Sequence, residues 1–148
     1  MTHDEFIAEY YKVSERAIFL SEKARREGLL AMEDEIDSEK ENRRDIFEYG
    51  LRFTIDGTDA SLIRDILLNI IKQEDDKYTR LLMELKVEAV LSIQQGDNTR
   101  IVASKLNSLT NLNLTEDPIM RKIMNDDNND DKGKFSEDEI DELIGGHN

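Results

Sequence analysis

The sequence contains no cysteine, no tryptophan, a single proline and only two histidines in 148 residues. Without thiols there is no disulfide and no thiolate chemistry. His3 and His147 stand near the two ends of the chain, poor places for a catalytic group or a ligand set. Long hydrophobic runs are missing too. The densest apolar stretch, Leu62 to Ile71, is interrupted by Arg64, Asp65 and Asn69, whereas a membrane helix needs about 20 mostly apolar residues. Thr2-His3-Asp4-Glu5 lacks the basic start and apolar core of a secretory leader. No glycine-rich phosphate loop precedes a Lys-Ser/Thr pair. These absences predict a cytoplasmic protein with no membrane insertion, no enzymatic activity and no cofactor.

Charge is what the chain has in abundance. Acidic side chains number 34 and basic ones 20, for a formal net charge of -14. Charged residues make up 36% of the sequence, against roughly 25% in ordinary globular domains. Such a surface repels nucleic acid and anionic membrane. It favours basic patches on other proteins, or cations.

With one proline, Pro118, and few glycines, long stretches are free to be helical. Thr2 and Glu5 form a capping-box pair, which satisfies two backbone amides at a helix start. Phe6, Tyr10, Val13, Ala17, Leu20 and Ala24 then recur at spacings of four and three, on one helix face. This predicts a helix over about 3–31, loosened but not ended at Gly28. Phe47, Leu51 and Phe53 mark a second, shorter element, broken at Gly57. Between Asp59 and Gln95 there is neither proline nor glycine. One helix of roughly 50 Å is allowed there, as is a helical hairpin turning near Glu74-Asp76. Gly96-Asp97-Asn98 reads as a turn, capping a helix over 99–110. The expected fold is all-α, an antiparallel bundle of long helices with a flexible acidic tail. Its core is expected to hold Phe6, Tyr10, Leu20, Phe47, Leu51, Leu62, Ile66, Ile70, Leu81, Leu85 and Ile93. The divisions are a helical domain over 1–110, an acidic Asn/Asp-rich linker over 111–134, and a short amphipathic helix over 135–146.

Three segments carry a family resemblance. The first runs from Lys23 to Glu33, with Arg25-Arg26-Glu27-Gly28-Leu29-Leu30 at its centre. The second is Gly50-Leu51-Arg52-Phe53-Thr54-Ile55-Asp56-Gly57-Thr58-Asp59, followed by Leu62 to Leu67. The third runs from Glu88 to Arg100 through Ser92, Gly96, Asp97 and Asn98, and continues to Lys105-Leu106. In this order they resemble the flagellar stator subunits of the MotA family, over about residues 10 to 110. In that family two membrane helices separate the second and third segments; here Lys72 to Arg80 stand in their place. Ion conduction is therefore not implied, because it needs lipid-spanning elements. What the resemblance does imply is a rotor-facing surface. There an arginine and a glutamate, matched here by Arg25 and Glu33, engage opposite charges on the rotor protein FliG. Opposite signs on one helix suit a partner of alternating charge.

From Asn125 to Glu142 there are nine acidic and two basic residues, half of the net charge in a short tail. Within it, Ser136-Glu137-Asp138-Glu139 makes another capping box. Ile140, Leu143 and Ile144 then gather on one side of a short helix. The segment Phe135 to Gly146 resembles the N-terminal peptide of the switch proteins FliM and FliN, which in FliM binds the response regulator CheY. The resemblance implies helix-in-groove docking by Ile140, Leu143 and Ile144, with Glu139 and Asp141 among the flanking acids. The same tail approaches an EF-hand: with Gly133 at position six, Asn128, Asp130 and Glu139 fall on ligand positions. Lys132 then puts an ammonium where an oxygen is needed, so no specific metal site is expected.

Together these features predict a non-enzymatic motor accessory protein. It would contact FliG-, FliM- or FliN-like rotor and switch proteins, or a CheY-like regulator, at the flagellar basal body. A calcium-responsive helical sensor is one alternative. A plain scaffold, homo-oligomeric through the Phe6-to-Ala24 stripe, is another.

Overall fold

The computed structural model describes residues 1–36 and 45–125. Among the described residues there is no strand. Helix α1 spans His3–Glu27 and is followed by a 3₁₀-helix, Leu29–Glu35. Then come α2 (Ile46–Ile55), α3 (Ala60–Ile71), α4 (Lys77–Gln95), α5 (Thr99–Asn107) and α6 (Pro118–Asn125). The all-helical expectation holds.

The first helix begins where its capping box predicts. Thr2 Oγ1 accepts from the Glu5 N–H at 3.1 Å, and the Glu5 carboxylate accepts from the Thr2 N–H at 3.2 Å. The stripe Phe6, Tyr10, Val13, Ala17, Leu20 and Ala24 is buried along its whole length. It packs against α4, α5 and the 3₁₀-helix. That stripe is consumed within the domain, so it offers no surface for oligomerisation. The helix stops four residues earlier than its periodicity suggests, at Gly28, which adopts φ 92° and ψ 159°. Side chains avoid that region, so only glycine turns the chain there cheaply.

Of the two readings of residues 59–95, the structure adopts the hairpin. α3 ends at Ile71 and α4 begins at Lys77. Asp76 caps α4 by accepting from the Thr79 N–H at 3.0 Å. The Arg80 guanidinium donates to the Glu74 carbonyl at 2.8 Å, closing the turn. The starts of the two longest helices lie side by side. Phe6 stacks on Tyr78 at 5.8 Å, and the Met1 amine sits 3.4 Å from Asp76.

Most of the expected core is buried: Phe6, Tyr10, Leu20, Phe47, Leu51, Leu85 and Ile93. Leu62 is not, being 53% exposed, and Ile66, Ile70 and Leu81 are half-buried. α3 is apolar on several sides, so hydrophobicity alone cannot choose its inner face. The structure turns Ile63, Leu67 and Ile71 inward, one turn apart, which leaves Leu62 beside the core rather than in it.

Residues 118–125 fall within the stretch read as linker from the sequence. They form α6, and Ile119, Met120 and Ile123 are buried against the domain.

Candidate partner-binding corner

The first signature segment builds a corner. α1 ends with Arg25 and Arg26 in its last turn, where cations favour the negative end of the helix dipole. After Gly28 the 3₁₀-helix doubles back. Its Met32 is completely buried. Its Glu35 accepts from Lys23 Nζ at 2.8 Å, and the Glu35 carbonyl accepts from the Arg16 guanidinium at 2.8 Å. The hydrogen bond to Glu35 holds the Lys23 ammonium above its ordinary range. Arg16 also pairs with the buried Glu48 of α2 and lies over the Phe47 ring at 5.3 Å. One guanidinium thus ties α1, the 3₁₀-helix and α2 together.

On this frame Arg25 and Glu33 are both exposed. The expectation of opposite charges along one helix is corrected. Arg25 lies on α1 and Glu33 on the 3₁₀-helix, because Gly28 ends α1 between them. Each has a loose neighbour of opposite sign. Arg25 is 3.9 Å from Glu22, and Glu33 is 3.4 Å from Arg52 of α2. Arg52 stands in the second signature segment, and only the fold reveals that it faces Glu33.

The other two segments serve the frame. Gly50 lies where α2 packs tightly against α4 and α3: a Cβ there would stand 2.9 Å from Val90 Cγ2 and 3.0 Å from Leu67 Cδ1. Thr54 donates its hydroxyl to the Gly50 carbonyl at 3.2 Å. The Thr58 carbonyl accepts from Gln94 Nε2 at 2.6 Å, joining second segment to third. In the third, Gly96 ends α4 in the left-handed conformation, φ 75° and ψ 26°. Asp97 accepts from Ser92 Oγ and from Lys105 Nζ, each at 2.6 Å. Burial alone would raise the Asp97 carboxyl, but Lys105 and Ser92 pull it below its usual value. Asn98 caps α5 through the Ile101 N–H at 2.9 Å. All three segments therefore meet in one unit, and most of their distinctive residues are turns, caps and close contacts. Arg25 and Glu33 are among the members that face solvent, each with only a loose partner.

The tail residues Glu139, Ile140, Asp141, Leu143 and Ile144, and the EF-hand-like loop, lie outside the described residues. Among the described residues no group of three His, Cys, Asp or Glu side chains could hold a metal ion. No described helix is long and apolar enough to cross a membrane.

The geometry defines a packed helical module with a charged corner. Comparison with known proteins gives that module relatives. The chain is similar to Motility protein A of Treponema phagedenis, 31% identical over 85 residues, which covers 57% of this chain and 32% of that protein. It is also similar to Motility protein A of Borreliella burgdorferi, 38% identical over 71 residues, covering 47% of this chain and 26% of that protein. The chain thus spans about a third or less of the length of the relatives it matches. No family model matches, and no solved structure matches.

Proposed function

We propose that the chain is a non-enzymatic helical module of a flagellar motor, acting in the cytoplasm at the basal body. It docks on a FliG-like rotor component through the corner bearing Arg25 and Glu33. The observation that carries this reading is the corner itself. Two exposed, opposite charges sit on either side of a glycine turn, while Lys23, Met32 and Glu35 fix the turn to the domain. A charged pair held on a fixed frame loses little side-chain and loop freedom on binding. The likeness to two proteins named for motility supports the setting.

The tail serves as a second contact in this proposal. Glu139, Ile140, Asp141, Leu143 and Ile144 would engage a FliM- or FliN-like switch protein or a CheY-like regulator. The test is recovery of motor components from a motile-cell extract by the purified chain. Arg25→Glu and Glu33→Lys should each cut recovery of the rotor component several-fold. Stability should change by only about 0.5 kcal/mol, as for most exposed positions. Ile140→Ala with Leu143→Ala should spare the rotor component and remove the switch component or regulator. Unchanged recovery with both charge reversals would show that the corner does not face the rotor.

A further inference from the structure

The outer side of the α3–α4 hairpin carries an apolar groove of about 230 Å³ that the motor reading does not use. Its apolar lining is Val87 and Leu91 of α4, both buried, Leu68 of α3, 38% exposed, and Leu109 just after α5. Three charges line it: Arg64 on α3, and Glu84 and Glu88 one turn apart on α4. Salt bridges within the described residues engage none of the three. Knob and hole, cation and anions, are therefore present together on one surface, with the cation on one wall and the anions on the other.

We propose that this groove is the interface of a homodimer, with Leu68 of each copy seated between α3 and α4 of the other. A two-fold axis running along the groove sets α3 of one copy over α4 of its partner. Arg64 then meets the Glu84 and Glu88 ridge of the second copy, twice over by symmetry. A groove for a foreign acidic or basic partner would have one sign on both walls. The opposed signs favour self-association because the surface is its own electrostatic complement. The net charge of -14 works against the encounter. Salt screens that long-range repulsion more than it weakens close, partly buried pairs, so the dimer tightens between low and physiological ionic strength.

The experiment is sedimentation velocity on the full chain from micromolar to millimolar concentration, at low and physiological salt. The expected result is a reversible rise from one chain to two. Arg64→Glu should abolish the rise, because each wall then presents only acids. Arg64→Glu combined with Glu84→Arg and Glu88→Arg should restore it, because the exchanged signs are complementary again. Leu68→Ser should weaken it at least tenfold with little change in melting temperature. A single-chain mass throughout would overturn the proposal and leave the groove to another occupant. So would a dimer that Arg64→Glu and Leu68→Ser leave intact. Because Arg25 and Glu33 take no part, failure here leaves the motor reading untouched.

Discussion

Asp117 is wholly buried, and its carboxyl organises the last described part of the chain. It accepts from the Tyr10 hydroxyl, from Asn107 Nδ2 at 2.8 Å, and from the Ile119 and Met120 N–H groups at 2.9 and 3.5 Å. It is both the cap of α6 and the bond between α6 and helices α1 and α5. Burial, and the Asp117 carboxyl beside it, push the Tyr10 phenol far above its usual range; the same causes push Tyr11 up to about 12. Asp117→Ala should destabilise the protein by about 3 kcal/mol or more. It removes a cap worth about 1 kcal/mol and leaves the Tyr10 hydroxyl and Asn107 amide buried with fewer partners, at about 1–3 kcal/mol for an orphaned group. Chemical denaturation measures the loss, and amide exchange should show α6 opening first. The sequence did carry a signal for this helix, since Asp followed by Pro is a favoured helix start. The asparagine-rich surroundings nonetheless read as linker.

Asp97 makes a pH prediction at the same scale. Its folded carboxyl lies below its unfolded value because Lys105 and Ser92 outweigh the effect of burial. A depressed carboxyl contributes stability that is present above the unfolded pKa, about 3.9, and is lost as pH falls through the folded value. Acid titration of the melting temperature should therefore be steeper below about pH 4 in the wild type than in Asp97→Asn. Parallel acid limbs for the two proteins would contradict the role given to the Lys105 contact.

Among the elements, the central fact is how close α2 runs to α4. Gly50 permits that approach, since a side chain there would meet Val90 and Leu67 at about van der Waals overlap. Both neighbours are completely buried and have little room to give. Gly50→Val should cost at least about 2 kcal/mol, as overpacked cores do, although valine gains a few tenths of a kcal/mol in helix propensity over glycine. Equilibrium denaturation checks the sign; a stabilised variant would mean that the helices separate freely. At this scale the sequence was informative about existence and type and less so about ends. The capping box, the α1 stripe, the Gly57 break and the Gly96 turn were all legible, because each depends on local backbone chemistry. The end of α1 and the choice between one helix and a hairpin depend on tertiary contacts. Glu35 meeting Lys23 and Arg16 after α1, and Phe6 and the Met1 amine meeting Tyr78 and Asp76 at the hairpin, are such contacts. The inner face of α3 was illegible for another reason: where a helix is apolar nearly all round, only its neighbours decide which side is core.

For the molecule as a whole, the three signature segments converge on one frame, and the corner bearing Arg25 and Glu33 is exposed. Arg25 and Glu33 were found through a family resemblance. Their separation onto two elements, and the Arg52 side chain beside Glu33, came only with the fold. No periodicity in sequence encodes a contact between residues 33 and 52. The same holds for the pair of Arg16 with the buried Glu48, whose members look like ordinary surface charges until α1 and α2 are packed together. Docking through this corner, as proposed, would rest on charge pairs at a surface, and such binding weakens as salt screens it. The most direct measurement is a binding titration of the purified chain against a purified FliG-like rotor protein, at low and at physiological salt. If the corner docks on the rotor as proposed, binding is saturable, weakens with salt and falls at least tenfold for the Arg25→Glu chain, whose melting temperature stays near that of the wild type. Absence of binding at either salt concentration, or binding indifferent to Arg25→Glu and Glu33→Lys alike, would contradict it.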